Sequence, residues 1–241
     1  MTAPTGASER SPLSVVWDII VAPKSAFEAL DERPRWVIAY LLICVLGMAG
    51  ALLQMPAQLH ANIASIDRDA GHDPQMASLS PAQLENVKAL TTNIQHFIWL
   101  AYPVIAIVFI SVAALVLWAG AKAGSGRGNF SKYFAIAINV GIVQFGIAYF
   151  LTGVLCSLHS PDTFNSPTDI SKLTPSLAWI VPSENPKMTT FLEAFTPFTV
   201  WSFLLLAFAL RNVGKVSPPI AYVTAAIVGF GALLYFVLFA R

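Results

Sequence analysis

Charge is what this chain has least of. Of its 241 residues only 11% are Asp, Glu, Lys or Arg, and 56% are hydrophobic, whereas soluble domains devote about a quarter of their residues to charge. This excludes an ordinary water-soluble fold and leaves no room for a separate soluble domain. The net charge of +1 excludes a nucleic-acid surface, because neutralising phosphates takes a concentrated excess of Lys and Arg. Cys44 and Cys156 are too few for a disulfide framework and read as free structural thiols. No secretory signal opens the chain: the apolar run from Val15 to Ala22 is short and contains Asp18, so the N-terminus is expected to persist. Catalytic signatures are also missing. The run Gly124, Ser125, Gly126, Arg127, Gly128 lacks the strand and the Lys of a phosphate loop, and no nucleophile stands beside a base. The expectation is a protein that is not an enzyme and has no cofactor.

Metal ligands are sparse as well. His60, His72, His96 and His159 are the only histidines, and His72 follows the acidic run from Asp67. Counted from Asp67, a calcium loop would want an acid at its fifth position and Glu at its twelfth, where Gly71 and Ser78 stand. The run is expected to be a solvated acidic turn, with no metal.

What the chain does have is apolar length. A hydrocarbon core about 30 Å thick takes roughly 20 apolar helical residues, and five runs qualify: 36–54, 97–121, 133–156, 190–210 and 218–240. Inside them only Glu193 is charged, whereas a soluble helix would show a charged outer face. The expected fold is all-α: a polytopic five-helix transmembrane bundle with outer loops at 55–96 and 157–189. Residues 1–12 form an unstructured tail, and 13–241 form one membrane domain.

Nine of the 14 basic residues fall on one side of this topology, from Arg10 through Lys215, and five on the other. The positive-inside bias therefore puts the N-terminus in the cytoplasm and the C-terminus outside. Between Leu13 and Leu30 apolar residues recur at helical spacing, broken by Pro23. Two short amphipathic helices on the cytoplasmic surface are expected, with Trp17, Ile20, Phe27 and Leu30 as candidate interfacial docking residues. Ser80, Pro81 and Gln83 make a capping-box start for a helix running into span two, so loop 55–96 should be a helical hairpin turning at 67–74. The prolines at 161, 167, 175, 182 and 186 exclude a long helix in loop 157–189, where Trp179, Ile180 and Val181 are placed to dip into the interface.

Within the membrane, the amides of Asn139 and Gln144 need protein or water partners that lipid cannot supply. Five residues apart on an α-helix they diverge by about 140°, so they do not form one polar stripe. Interhelical hydrogen bonding is the simpler role. Glu193 is a candidate intramembrane carboxylate, with hydration at headgroup level as the simpler role. Pro103 and Pro197 each follow a Phe by six residues and are candidate kinks; the shared pattern hints that the second and third spans repeat as the fourth and fifth. Gly47 with Ala51, and Ala225 with Gly229, have the spacing of close-packing faces.

The order of features resembles the YIP-domain family of integral membrane proteins in its prokaryotic branch. The resemblance is carried by IIVAPKSAFEALDERPRW from Ile19 to Trp36, by Pro23 with Phe27, by Trp201 to Lys215, and by ALRNVGKVSPPIA from Ala209 to Ala221. It covers essentially the whole chain and implies a fold and a membrane location more than an activity. Eukaryotic members are linked to Rab-type GTPases and vesicle traffic and carry a longer cytosolic N-terminal region. This chain has only residues 1–35 there, so a GTPase partner does not carry over. The expected role is a non-enzymatic protein that organises membrane or binds a membrane protein or lipid. A homo-oligomer or a membrane-protein partner is compatible with this. The alternative is a small oligomeric transporter or channel whose path would use Glu193, Asn139, Gln144 and the two prolines.

Overall fold

A computed structural model describes residues 11–239, with side chains except those of Pro186 and 232–239. Every regular element among the described residues is helical. The chain order is α1 (Pro12–Val21), α2 (Pro23–Glu32), α3 (Val37–His72), α4 (Pro74–Ala77), α5 (Pro81–Ala123), α6 (Phe130–Gly141), a π-helical segment (Ile142–Ala148) and α7 (Tyr149–Ser157). Then follow two 3₁₀ turns flanking α8 (Pro167–Ser171), α9 (Pro186–Glu193), α10 (Pro197–Asn212) and α11 (Pro218–Phe239).

Three helical stretches are long and apolar enough to cross a bilayer: Val37–His72, Pro81–Ala123 and Phe130–Ser157. A fourth exists if α9 and α10, bent by 64° at a short break, count as one span. The fourth span expected at 190–210, with its candidate kink at Pro197, is thus two helices separated at residues 194–196. Pro197 is the first residue of α10, a position where the missing N–H and fixed φ suit a helix start. Pro103 instead lies inside the uninterrupted α5.

The expected turn at 67–74 is also corrected. The acidic run is helical through His72, and Asp73 caps α4 by accepting from the Gln75 amide at 2.8 Å. Two contacts hold the extra turns of α3 in place: Lys88 Nζ lies 2.6 Å from Asp67, and Arg68 donates to the Asn165 carbonyl at 2.6 Å. The capping box at the start of α5 is present: the Ser80 amide donates to Gln83 Oε1 at 2.8 Å, and the Gln83 amide to Ser80 Oγ at 3.3 Å. Of the tail assigned to 1–12, residues 1–10 lie outside the described residues. Ser11 already caps α1, accepting from the Ser14 amide at 3.1 Å.

Internal contacts divide the chain into two units. The first contains the residues through Leu42, Val108–Ile142 and Trp201–Gly231. Its most enclosed helix is α6, which buries Tyr133, Ala135, Ile136, Ala137, Ile138, Asn139 and Val140. So nearly all-round an apolar surface marks an interior helix rather than a half-exposed one. The second unit contains Ile43–Ile107 and Val143–Val200. There Ala57 and Ala61 of α3, Cys156 of α7, Phe164 and Ile170 of α8 form one buried cluster. This cluster explains how a segment too rich in proline for a long helix still acquires a fixed position: Phe164 and Ile170 are its apolar anchors.

In the second unit, two glycines bring helix backbones together. A Cβ on Gly153 would lie 2.6 Å from the Gly50 carbonyl oxygen, a distance only glycine permits. Nearby, the π-helical turns of Ile142–Ala148 shift the hydrogen-bond register, as such insertions do at functional or strained points of a helix. Tyr102 Oη donates to the Phe145 carbonyl, and Gln54 Nε2 donates to the Tyr149 carbonyl at 3.2 Å. Gln58 donates to Gln54 at 3.1 Å and Gln95 to Gln58 at 2.6 Å. This ladder of amides satisfies polar groups that a hydrocarbon surrounding could not.

Candidate functional site

The N-terminal helices pack on α6 and reach, through Asp31, a platform of two short loops of the first unit, 124–129 and 213–217. Each loop must reverse the chain between apolar helices, and each contains a residue with left-handed backbone that is not glycine: Ser125 at φ 55° and Lys215 at φ 54°. Such conformations persist where surrounding bonds over-determine them. Here the bonds run from loop to loop. The Arg127 amide donates to the Gly214 carbonyl at 2.8 Å, and Arg127 Nε donates to the Val213 carbonyl at 3.3 Å. Tyr133 Oη, fully buried, donates to the Arg127 carbonyl at 2.6 Å. Gly214 is required by space, since a Cβ there would meet the Leu210 carbonyl at 2.6 Å and Tyr133 Oη at 2.7 Å.

Asp31, in the last turn of α2, joins the helix pair to this platform. Its carboxylate pairs with Lys132 Nζ and lies 3.6 Å from Arg127 Nη2. The apolar side of the same attachment is the Phe27 ring, 5.9 Å from that of Phe208. Helix α1 begins with Ser11 and Pro12, a cap followed by proline at the first helical position, and α2 begins with Pro23; the two starts are sequence-encoded. Both helices pack on α6 as well as on each other.

The four residues expected to dock at an interface are separated by the structure. Phe27 and Leu30 are completely buried and belong to the attachment of α2. Ile20 is half-buried. Trp17 is 64% exposed and stands with Leu13 and Val21 in one stripe along α1, at the i, i+4, i+8 spacing of a single helical face. The opposite face, Val15, Val16 and Ile19, is buried. Periodicity marked α1 as a helix but did not separate these two faces.

The intramembrane candidates each have a setting of their own. Asn139 is 1% exposed, and its Nδ2 donates at 2.8 Å to both the Arg35 and Ala135 carbonyls. It fastens the entry of α3 to α6. Gln144 lies half-buried in the π-helical segment, where the angular estimate for an α-helix does not apply. Glu193 is the last residue of α9, and its Oε2 accepts from Ser171 Oγ at 3.5 Å. The histidines have a common use: the Nδ1 atoms of His60, His72, His96 and His159 donate to the carbonyls of Phe164, Arg68, Thr92 and Leu155 at 2.7–2.9 Å. Among the described residues no group of three or more His, Cys, Asp or Glu is placed to hold a metal ion. Residues that sequence reasoning passed over are Tyr102 and the glutamines at 54, 58 and 95. The available signal was Gln54 and Gln58, one helical turn apart where the first span passes into what looked like an outer loop.

Long apolar helices, internally bonded amides and exposed apolar stripes define the chain as a multi-pass α-helical membrane protein. It belongs to the Yip1 domain family, whose model matches residues 17–240. A protein of Bacillus subtilis (strain 168), called membrane protein YknW, is 27% identical over 227 residues, covering 93% of this chain and 88% of that protein. No solved structure matches.

Proposed function

We propose that this Yip1-domain protein works without catalysis or a cofactor, organising the bilayer around it or holding a membrane protein or lipid through helix α1. The observation that carries this reading is the exposed stripe of Leu13, Trp17 and Val21 on a helix whose other face is firmly buried. An attached helix that still presents a Trp and two aliphatic side chains outward suits the boundary between headgroups and acyl chains, or an apolar face of another protein. In the finer picture α11 is the fifth span, the N-terminus lies in the cytoplasm of a bacterial cell and the C-terminus outside. The supporting facts are the nine-to-five distribution of basic residues and the 22-residue length of α11.

The experiment is purification of the full chain in native nanodiscs with mass spectrometry of co-purifying proteins and lipids. The wild type is compared with a Leu13→Ser, Trp17→Ser double variant. Loss of a specific protein or lipid from the variant supports the reading. An unchanged set of partners and lipids removes α1 as the contact surface.

A further inference from the structure

A cavity of about 290 Å³ lies within the second unit, lined by Lys172, Ser176, Trp179, Pro182, Thr189 and Glu193 among others. Its walls hold themselves in place. Trp179 Nε1 donates to the Lys172 carbonyl at 2.9 Å, the Leu177 amide to the Phe195 carbonyl at 3.2 Å, and Thr189 Oγ1 to the Ser183 carbonyl at 2.9 Å. Asn185 caps α9, so the helix that ends in Glu193 starts from a fixed point. A pre-formed concave site with a few convergent polar groups is the usual form of a small-ligand site.

The two charges on the cavity wall have unequal surroundings. Lys172 Nζ is 3.0 Å from Asp169. Glu193 meets the Ser171 hydroxyl at 3.5 Å, a long contact that leaves the carboxylate able to accept a cation. Trp179 lines the same cavity, and ammonium groups favour an aromatic ring beside a carboxylate. Trp179, Ile180 and Val181 are 60%, 76% and 53% exposed. In a membrane protein such a protruding Trp–aliphatic triplet seeks the interface, which sets the adjoining cavity at headgroup depth.

We infer that this cavity binds the headgroup of a zwitterionic phospholipid, its ammonium at Glu193 and Trp179, its phosphate at Lys172, and its acyl chains beside Ile180 and Val181. The volume fits a headgroup and not a whole lipid. A glycerol headgroup would set neutral hydroxyls at Glu193 in place of the ammonium, so the discrimination comes from the lost charge pair and cation–π contact. The inference extends the lipid-binding side of the proposed function, yet it rests on residues other than those of α1.

The test is native mass spectrometry of the full chain taken from vesicles of equal phosphatidylethanolamine and phosphatidylglycerol. The wild type should retain phosphatidylethanolamine over phosphatidylglycerol by about threefold, the scale of a partly exposed ion pair with a cation–π contact. Glu193→Gln should bring the ratio to that of the bulk lipid, and Trp179→Leu should do so independently if the first variant folds poorly. Soluble phosphoethanolamine separates the sources. Competition by it assigns recognition to the headgroup moiety alone, and retention that resists it assigns recognition to the lipid at the interface. A bulk ratio in the wild type, or a preference unchanged in both variants, overturns the inference. So does a preference lost in the Leu13→Ser, Trp17→Ser protein, which would assign it to α1; loss of protein partners there with the lipid preference intact concerns only the proposed function.

Discussion

The paired loops of the first unit and the proline-rich segment of the second meet the same requirement in opposite ways. Both must satisfy backbone groups outside long helices. Loops 124–129 and 213–217 close on each other, backbone to backbone, around Tyr133 Oη. Residues 157–196 instead close on themselves through side-chain caps and short turns, with Phe164 and Ile170 as anchors. The first arrangement leaves no space at its glycine. The second leaves an open volume edged by charged side chains. A tight backbone clasp thus makes a platform, and a chain of local caps makes a site.

The largest effect should come from breaking the clasp by volume. Gly214→Val puts a side chain into the Leu210 carbonyl and Tyr133 Oη, neither of which can retreat. Overpacking of this kind costs about 3 kcal/mol, read as a lowered unfolding midpoint in detergent. Gly71→Ala is the matched control, since a Cβ there meets nothing within 4 Å. It should be neutral or gain about 0.5 kcal/mol from helix propensity. A smaller loss, about 1 kcal/mol, is expected for Tyr133→Phe, which leaves the Arg127 carbonyl without its donor. Smaller still is Asp31→Asn. The carboxylate is about a third exposed and its partner Lys132 a little less, so the pair should contribute under about 1 kcal/mol. The difference from wild type should shrink in high salt because exposed pairs are screened. Equal effects of Gly214→Val and Gly71→Ala would show that the clasp is not the rigid element described.

Much of this contrast was legible from residue order, and the illegible parts have physical causes. The capping box at Ser80 and the proline start of α2 follow from local rules, because caps act within a turn or two, whereas the Ser11–Pro12 start of α1 was hidden in what looked like tail. Helical length was underestimated only at the end of α3, since the acidic run looks like a turn until Asp67 and Arg68 find partners remote in sequence. The π-helical segment has no local signature; it depends on Tyr102 and Gln54 reaching carbonyls from other helices. Spacing found one close face and missed another: a Cβ on Gly47 would run into the Tyr102 ring, whereas the backbone approach of Gly50 to Gly153 was passed over. Glu193 stood out as a charge in an apolar run, but the break that makes it a helix end and a cavity wall is tertiary.

The smallest expected effect sharpens the comparison through pH. Burial pushes the Asp169 carboxyl up, but hydrogen bonds from Lys172 and from the Ser166 amide and hydroxyl outweigh it and hold the group below its ordinary value of 3.8. Because the folded form favours the carboxylate, the stabilisation is fully present above that ordinary value. It is lost as pH falls through the lower folded value. The carboxylate also accepts from the amides of Asn165 and Ser166 at 3.0 Å each, so acid should release the start of α8 locally and well before any global change. Amide hydrogen exchange, compared between about pH 5 and pH 3 after correction for intrinsic rates, should show lost protection at Asn165 and Ser166. In Asp169→Asn that protection should be low at both pH values. The amides of Arg127 and Val216 donate to backbone carbonyls of Gly214 and Leu210, acceptors that do not titrate, and should hold their protection over the same range. If they open together with Asn165 and Ser166, the two regions share one cooperative unit, and the distinction between a backbone clasp and a side-chain-capped segment fails.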